Sequence, residues 1–251
     1  AWIGPVLREY ILSEAMSALN IPTTRALSAV KTGEKVYRDQ ALPGAVLARV
    51  ASSHIRVGTF QYFASRKDVK ALKILADYVI ARHFPQAKET KNAYLSLLNN
   101  VIKKQASLIA KWMSVGFIHG VMNTDNVLIS GETIDYGPCA FIDSYHPQTV
   151  YSSINRQGRY AYQNQPAITQ WNLSSFASSI LPLLHDDEAT AIHEAESQLN
   201  IFKDEYQSEW SRLLTEKIGL SNQLHSDYEL AQDLLERMSQ NEADFTHTFR
   251  G

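Results

Sequence analysis

The sequence predicts an α+β fold in which a small β-rich part precedes a larger, mainly helical part. Three observations support this fold class. Strand-like segments separated by glycine and proline turns lie within residues 24–50. Apolar residues at helical spacing dominate from residue 59 onward. Between two helical regions, residues 116–137 form short apolar runs joined by polar loops, an arrangement typical of a site held on a scaffold.

The N-terminal part is predicted to contain one helix and three strands. The helix spans Val6–Leu19, where apolar residues recur at helical spacing after Pro5, a residue that suits a first helical turn. Turn signals at Thr32-Gly33 and Pro43-Gly44 separate the strands. The predicted strands are Thr24–Val30, Lys35–Arg38 and Ala45–Val50.

The C-terminal part is predicted to be helical almost throughout. The helices are Thr59–Ala64, Val69–His83, Thr90–Val115, Asn172–Leu184 (broken near Pro182) and Ser226–Gln240, and Asp186–Gly219 holds one long helix or two. The third is the central helix; Thr90 is expected to cap it and Gly116 to end it. Ser226 and Glu229 have the spacing of a capping box. The polar tail, residues 241–251, is expected to be loose.

Composition excludes several classes of protein. The net charge is −2 over 251 residues, which argues against a nucleic-acid partner. No apolar run approaches 18 residues, so no membrane span is predicted, and Arg8 and Glu9 interrupt the first apolar run, so no signal peptide is predicted. The single cysteine, Cys139, fits a reducing compartment: the cytoplasm of a bacterium, or the mitochondrion in a eukaryote.

Residues 116–137 contain the candidate ligand-binding residues of the chain. Val127–Ile129 and Thr133–Ile134 are predicted to pair as a small hairpin, with Gly131 in its turn. Polar loops at 119–126 and 135–138 would then meet at one end of that hairpin. They hold Asp125, Asn126 and Asp135, whose oxygen atoms suit Mg²⁺ bound with a nucleotide phosphate.

This layout resembles a protein-kinase active site. His119 and Asn126 have the spacing of the kinase catalytic loop, and Asp135-Tyr136-Gly137 stands where kinases have Asp-Phe-Gly. Val121, however, occupies the position of the kinase base, and an aliphatic side chain cannot accept a proton. The nearest carboxylate belongs to Asp125, beside the metal-binding amide.

Longer segments resemble the selenoprotein O family, called YdiU in bacteria. The matching words are REYILSEAMSALNIPTTRAL (8–27), VLARVASSHIRVGTF (46–60), ADYVIARHFP (76–85), HGVMNTDN (119–126), TIDYGP (133–138) and QGRYAYxxQP (157–166). The resemblance implies a kinase-like fold that transfers AMP from ATP to protein hydroxyl groups. It also implies a partial N-lobe at residues 1–58 and a helical C-lobe at residues 59–251.

The resemblance also assigns roles to individual residues. Asp125 would be the catalytic base, and Asn126 and Asp135 would bind Mg²⁺, or Mn²⁺, with ATP. Arg49 and Arg56 would hold the ATP phosphates, although sequence alone favours surface arginines at both positions.

Glu9 matches the ion-pairing glutamate of the kinase αC helix, although sequence alone favours a solvated residue on a helix face. Its lysine partner, the glycine-rich loop and the C-terminal redox motif of the family have no counterpart in these 251 residues, so a fragment or a shortened member is expected.

Two questions stay open at this stage. The first is whether residues 146–166, with Tyr151, Tyr160, Tyr162, Arg156 and Arg159, face a protein substrate or only pack against the fold. The second is the reaction. Adenylyl transfer to Ser, Thr or Tyr hydroxyls of proteins is the main hypothesis. An atypical protein kinase, or an inactive nucleotide-binding pseudokinase or scaffold, are the alternatives. The sequence does not determine the oligomeric state.

Overall fold

The protein is described by a computed structural model that covers residues 1–152, 157–220 and 224–250. Its helices are α1 (Ile3–Ala18), α2 (Val57–Ala64), α3 (Val69–His83), α4 (Ala93–Ser114), α5 (Gln165–Leu184), α6 (Glu188–Lys217), α7 (His225–Gln240) and α8 (Phe245–Arg250). Its strands are β1 (Arg25–Tyr37), β2 (Ala41–Val50), β3 (Phe117–Ile118) and β4 (Ala140–Phe141). The α+β class is confirmed, with two small antiparallel sheets, β1–β2 and β3–β4.

The N-terminal sheet has two long strands instead of the three that the turn signals predicted. Gly33, at φ +80°, lies inside β1 where the pairing register shifts between Lys31 and Lys35. The glycine therefore marks a bulge rather than a turn. Pro43 continues β2 opposite Lys35, and the chain reverses after Tyr37. Helix α1 packs against both strands.

Helix α4 is the centre of the helical part. Its first half, from Leu97 to Ala106, lies in a core cluster with residues of α2, α3, α5 and α6. Its second half, from Leu108 to Met113, lies in a second cluster with the end of α1, residues of α7 and α8, and several side chains between 117 and 145. The helix therefore joins the scaffold to the polar loops that follow it.

Other element predictions need correction at their ends. Asn92, rather than Thr90, caps α4: its Oδ1 accepts the Leu95 amide at 3.1 Å. Residues 188–217 form one helix, and Pro182 lies inside the last turns of α5 without breaking it earlier. At the start of α7, the Leu224 amide donates to Asp227 Oδ2 at 3.0 Å. The predicted capping box of Ser226 and Glu229 is therefore wrong, because the cap lies two residues earlier.

The described part of the tail, residues 241–250, packs on the fold, contrary to the prediction of a loose end. Residues 245–250 form α8, and Phe245 is only 2% exposed. Its ring lies 5.7 Å from that of Tyr145 and 5.2 Å from that of Phe249. The free energy gained by burying the Phe245 ring is enough to dock the tail, although most of its other residues are polar. Within the part of the chain that the structure describes, no helix combines the length and apolar character needed to cross a bilayer.

Candidate active site

The first polar loop leaves α4 through a glycine. Gly116 has φ +69°, and a Cβ added there would lie 2.9 Å from the Phe245 ring, so both conformation and space require glycine. The chain then forms β3, where Phe117 pairs with Phe141 of β4. This short sheet holds the start of the first loop beside the end of the second.

The hairpin predicted within residues 127–134 is wrong in its pairing. The chain does reverse there, with Gly131 at φ +76° and its amide bonded to the Leu128 carbonyl at 3.1 Å. Leu128, however, bridges to Arg56, and Thr133 bridges to Thr23. Each arm therefore pairs with a segment from the N-terminal part of the chain rather than with the other arm.

His119 connects the two polar loops from a fully buried position. Its Nε2 donates to the Ile134 carbonyl at 2.8 Å, and its Nδ1 accepts from the Val121 amide at 3.4 Å. The ring stacks on Trp112 with centroids 5.3 Å apart. Burial lowers the pKa of His119, which favours the neutral imidazole. In that form the two hydrogen bonds satisfy both ring nitrogens. His119 is thus a structural residue of the loop.

The two loops also touch directly. Gly120 has φ +85°, and a Cβ at that position would lie 3.1 Å from both the Cγ and the carbonyl oxygen of Pro138. Only glycine allows this approach. The residues 119–126 and 135–138, predicted to meet, are therefore adjacent, although not through the predicted hairpin.

Asp125 is exposed and lies in a single 3₁₀ turn, Thr124–Asn126. The first turn of α2 packs on this segment, since a Cβ added to Gly58 would lie 3.5 Å from the Asp125 amide. The Asn126 side-chain amide donates to the Val121 carbonyl at 3.0 Å. Among hydrogen bonds of the described residues, none uses the Asn126 Oδ1, so this oxygen is available to a ligand.

Asp135 lies in the left-handed region at φ +67°, which is uncommon for a residue other than glycine. The next residue, Tyr136, is fully buried, and its amide donates to Glu9 Oε1 at 2.8 Å. Strained backbone of this kind is concentrated at functional sites. The Asp-Tyr-Gly segment is therefore fixed against helix α1.

Glu9 joins α1, the second loop and strand β2. Its Oε2 accepts from Arg49 at 2.8 Å, and the Glu9 side chain is 12% exposed. Burial raises the pKa of Glu9, Arg49 opposes that rise, and the neighbouring Asp135 adds to it. The cationic partner of Glu9 in this chain is thus Arg49, where the sequence comparison with kinases suggested a lysine.

Arg56 lies immediately before α2, and its backbone bridges to Leu128. Its Nε is buried and has no hydrogen-bond partner within the described residues. A buried guanidinium donor without an acceptor is costly. An anionic ligand such as a phosphate would satisfy it, so the residue present fits the predicted phosphate contact.

The protein offers few metal ligands of its own. No group of three or more His, Cys, Asp and Glu side chains with the geometry of a metal site occurs in residues 1–152, 157–220 and 224–250. A divalent cation would therefore depend on Asn126, Asp135 and oxygen atoms supplied by a nucleotide or water. Mg²⁺ is commonly bound in this way, with one or two protein ligands and substrate phosphates.

Sequence reasoning missed two residues that hold the first loop. Gln165 is fully buried at the start of α5; its Oε1 accepts from the His119 amide at 3.0 Å, and its Nε2 donates to the Phe117 carbonyl at 2.8 Å. Asn172, about two turns further along the same face of α5, donates to the Met122 carbonyl at 3.0 Å. Gln165 stands in the word QGRYAYxxQP, which indicated the family but not this contact.

The described residues of the segment 146–166 contribute packing near the first loop. Tyr160 donates to Asn123 Oδ1 at 2.7 Å, and buried Tyr162 donates to the Met113 carbonyl at 2.6 Å. Arg159 lies 4.9 Å from the Trp171 ring centre, and Tyr151 is partly exposed. Arg156 lies outside the described residues. The substrate-facing interpretation of this segment stays a prediction.

Comparison with known proteins decides the family. The family described as "Protein adenylyltransferase SelO" matches residues 4–251. The chain belongs to the SelO family. It is 60% identical over 250 residues to "Protein nucleotidyltransferase YdiU" of Rhizobium rhizogenes and to that of Methylorubrum extorquens, and 57% identical to that of Bacillus mycoides. These alignments cover all of the chain, and the chain spans about half the length of these SelO-family relatives.

Proposed function

We propose that this chain carries the catalytic centre of a protein adenylyltransferase, which moves AMP from ATP to a Ser, Thr or Tyr hydroxyl of a protein. The observation that supports this most directly is the placement of Asp125. It is exposed beside Asn126, in the loop whose Gly120 lies against Pro138 of the second loop, whereas Val121 stands where a kinase has its base. The SelO family and its relatives named nucleotidyltransferases support the same reaction.

In this proposal, Asp125 accepts the proton of the acceptor hydroxyl. The hydroxyl oxygen forms a bond to the α-phosphorus of ATP, the bond from that phosphorus to the bridging oxygen breaks, and pyrophosphate leaves. Asn126 and Asp135 would hold Mg²⁺ or Mn²⁺, which supplies positive charge to the phosphates when bound. Arg56, with its unpartnered buried Nε, and Arg49 would bind the phosphates.

The proposal extends to the fold and location of the chain. We propose a kinase-like arrangement, with residues 1–58 corresponding to the N-lobe and residues 59–251 to the C-lobe. The Glu9–Arg49 ion pair and the Asp-Tyr-Gly loop held against α1 support it. For location we propose the bacterial cytoplasm, where the buried thiol of Cys139 would stay reduced.

The test compares ATP labelled at the α-phosphate with ATP labelled at the γ-phosphate, with Mg²⁺ and a generic acceptor protein present, and reads the products by intact-protein mass spectrometry. Adenylyl transfer retains the α label and adds the mass of AMP. Asp125→Asn should reduce the rate at least about a hundredfold, as expected for loss of a general base. Asp143→Asn, which removes an exposed carboxylate shortly after β4, should leave the rate unchanged.

Other outcomes would overturn parts of the proposal. Retention of the γ label would make the chain a kinase. Full activity of Asp125→Asn would remove the base assignment while leaving nucleotidyl transfer. ATP binding in a melting assay, with no adduct of either kind, would identify this chain as a nucleotide-binding pseudoenzyme.

A further inference from the structure

A second residue of α1 holds the loop that follows Asp135. Arg8 Nε donates to the Tyr136 carbonyl at 3.0 Å, and its Nη2 donates to the Cys139 carbonyl. The adjacent Glu9 accepts the Tyr136 amide. Two consecutive residues of one helix therefore bind both backbone groups of Tyr136 and one of Cys139.

This loop needs external support. Asp135 has the left-handed backbone conformation, which side chains other than glycine adopt only when their surroundings impose it. No residue between Asp135 and Cys139 belongs to a helix or strand. The Tyr136 carbonyl accepts from Arg8 Nε at 3.0 Å and from the Cys139 thiol at 3.3 Å, and the Cys139 carbonyl accepts from Arg8 Nη2. The guanidinium, with several donors in one plane, therefore reaches both carbonyls.

We propose that Arg8 is a positioning residue that holds the Asp135 loop in its ligand-binding conformation from α1. The role of the loop in binding metal and nucleotide rests on the proposed function; the hold on the loop does not. Arg25 provides a contrast, because its guanidinium pairs with Glu14 of α1 at 2.6 Å, its side chain is 55% exposed, and its side-chain hydrogen bonds go to Glu14 rather than to the loop.

The first test measures the loop without any activity. Cys139 is the single cysteine of the sequence, it is fully buried, and burial raises its pKa to about 12 although Arg8 opposes the rise. Its reaction with a thiol reagent such as DTNB under native conditions requires the loop to open. Loss of Arg8 alone would make the closed thiol less reactive, so a faster reaction reports opening. Arg8→Gln should speed this reaction by roughly ten- to a hundredfold, as expected for loss of charged hydrogen bonds. Arg25→Gln, the matched control, should leave the rate within about twofold.

Lysine gives a graded variant that does not depend on complete loss of the contact. An ammonium group on a flexible stem cannot reproduce the planar fork, so Arg8→Lys should give an intermediate rate. Equal thiol reactivity in wild type, Arg8→Lys and Arg8→Gln would overturn the proposal. So would an equal increase in Arg25→Gln, because that result would report general loosening of α1.

The second test concerns the ligand. Mg²⁺ is titrated against ATP binding to the whole chain, for wild type, Arg8→Gln and Arg25→Gln. Arg8→Gln should raise the Mg²⁺ concentration at half-maximal binding about tenfold or more, with ATP binding in the absence of metal unchanged. An unchanged Mg²⁺ requirement would overturn the positioning role. A wild-type chain that binds no nucleotide would instead overturn the proposed function, and the thiol measurement would still test the hold on the loop.

Discussion

Gln165 offers a sharp test of how the first loop is built. Replacing it with methionine keeps length and flexibility but removes both polar groups. The His119 amide and the Phe117 carbonyl, which Gln165 binds at 3.0 and 2.8 Å, would then be buried without partners. Each orphaned backbone group costs about 1–3 kcal/mol, so the variant should lose about 2–6 kcal/mol of unfolding free energy. Total stabilities of about 5–15 kcal/mol make that a large fraction.

The measurement is urea unfolding at neutral pH, followed by circular dichroism. Gln170→Met is the matched control, since Gln170 lies exposed on the same helix, and it should change stability by less than about 0.5 kcal/mol. A loss below about 1 kcal/mol for Gln165→Met would refute the reasoning, because the two loop groups would then have other partners. A similar loss in Gln170→Met would point to helix α5 itself.

Three further predictions concern the same region. Burial lowers the pKa of His119 below its ordinary 6.5, so below pH 6.5 the imidazole is protonated in the unfolded chain while it is still neutral in the folded chain. The unfolding free energy should therefore be highest above pH 6.5 and fall on acidification by up to about 1.4 kcal/mol per pH unit, and His119→Gln should reduce this slope. Gly120→Ala should cost at least about 1 kcal/mol more than Gly33→Ala, because both have positive φ but only Gly120 would place its Cβ against another loop. Phe245→Ala should cost about 3–5 kcal/mol.

Each of these has its own measurement and contrary result. Urea unfolding from pH 5 to 8 tests His119, with His146→Gln, at an exposed position, as the control. If the unfolding free energy of wild type and of His119→Gln changed equally with pH, burial of His119 would not affect its titration. Thermal unfolding tests the glycines, and equal losses would show that the two loops separate easily. For Phe245, the exposed Tyr37→Ala is the control, and a loss below about 1 kcal/mol would mean that α8 frays without consequence.

Local patterns predicted local structure well. Helix α3 lies at Val69–His83, where its apolar spacing placed it, and α4 ends before Gly116, whose positive φ its position suggested. These features depend on residues close in the chain.

Pairing partners could not be read in the same way. The segments around Leu128 and Thr133 are compatible with extended structure, but the sequence does not show which other segment each of them pairs with. Proximity favoured a hairpin, whereas Arg56 and Thr23, far away in sequence, provide the partners. Gln165 was missed for a related reason: a buried glutamine becomes meaningful only when the backbone groups that it binds are known.

The pairing of residues 127–134 has a consequence for the two oxygen donors that flank this stretch. The connection from α1 to β1 and the connection from β2 to α2 are both bonded to it: the Thr24 amide donates to the Thr133 carbonyl, the Thr133 amide to the Pro22 carbonyl, the Val57 amide to the Val127 carbonyl and the Ile129 amide to the Ile55 carbonyl. Asn126 and Asp135 adjoin the two ends of the stretch in the sequence. Both donors are therefore anchored through one short segment that two distant parts of the chain hold in place.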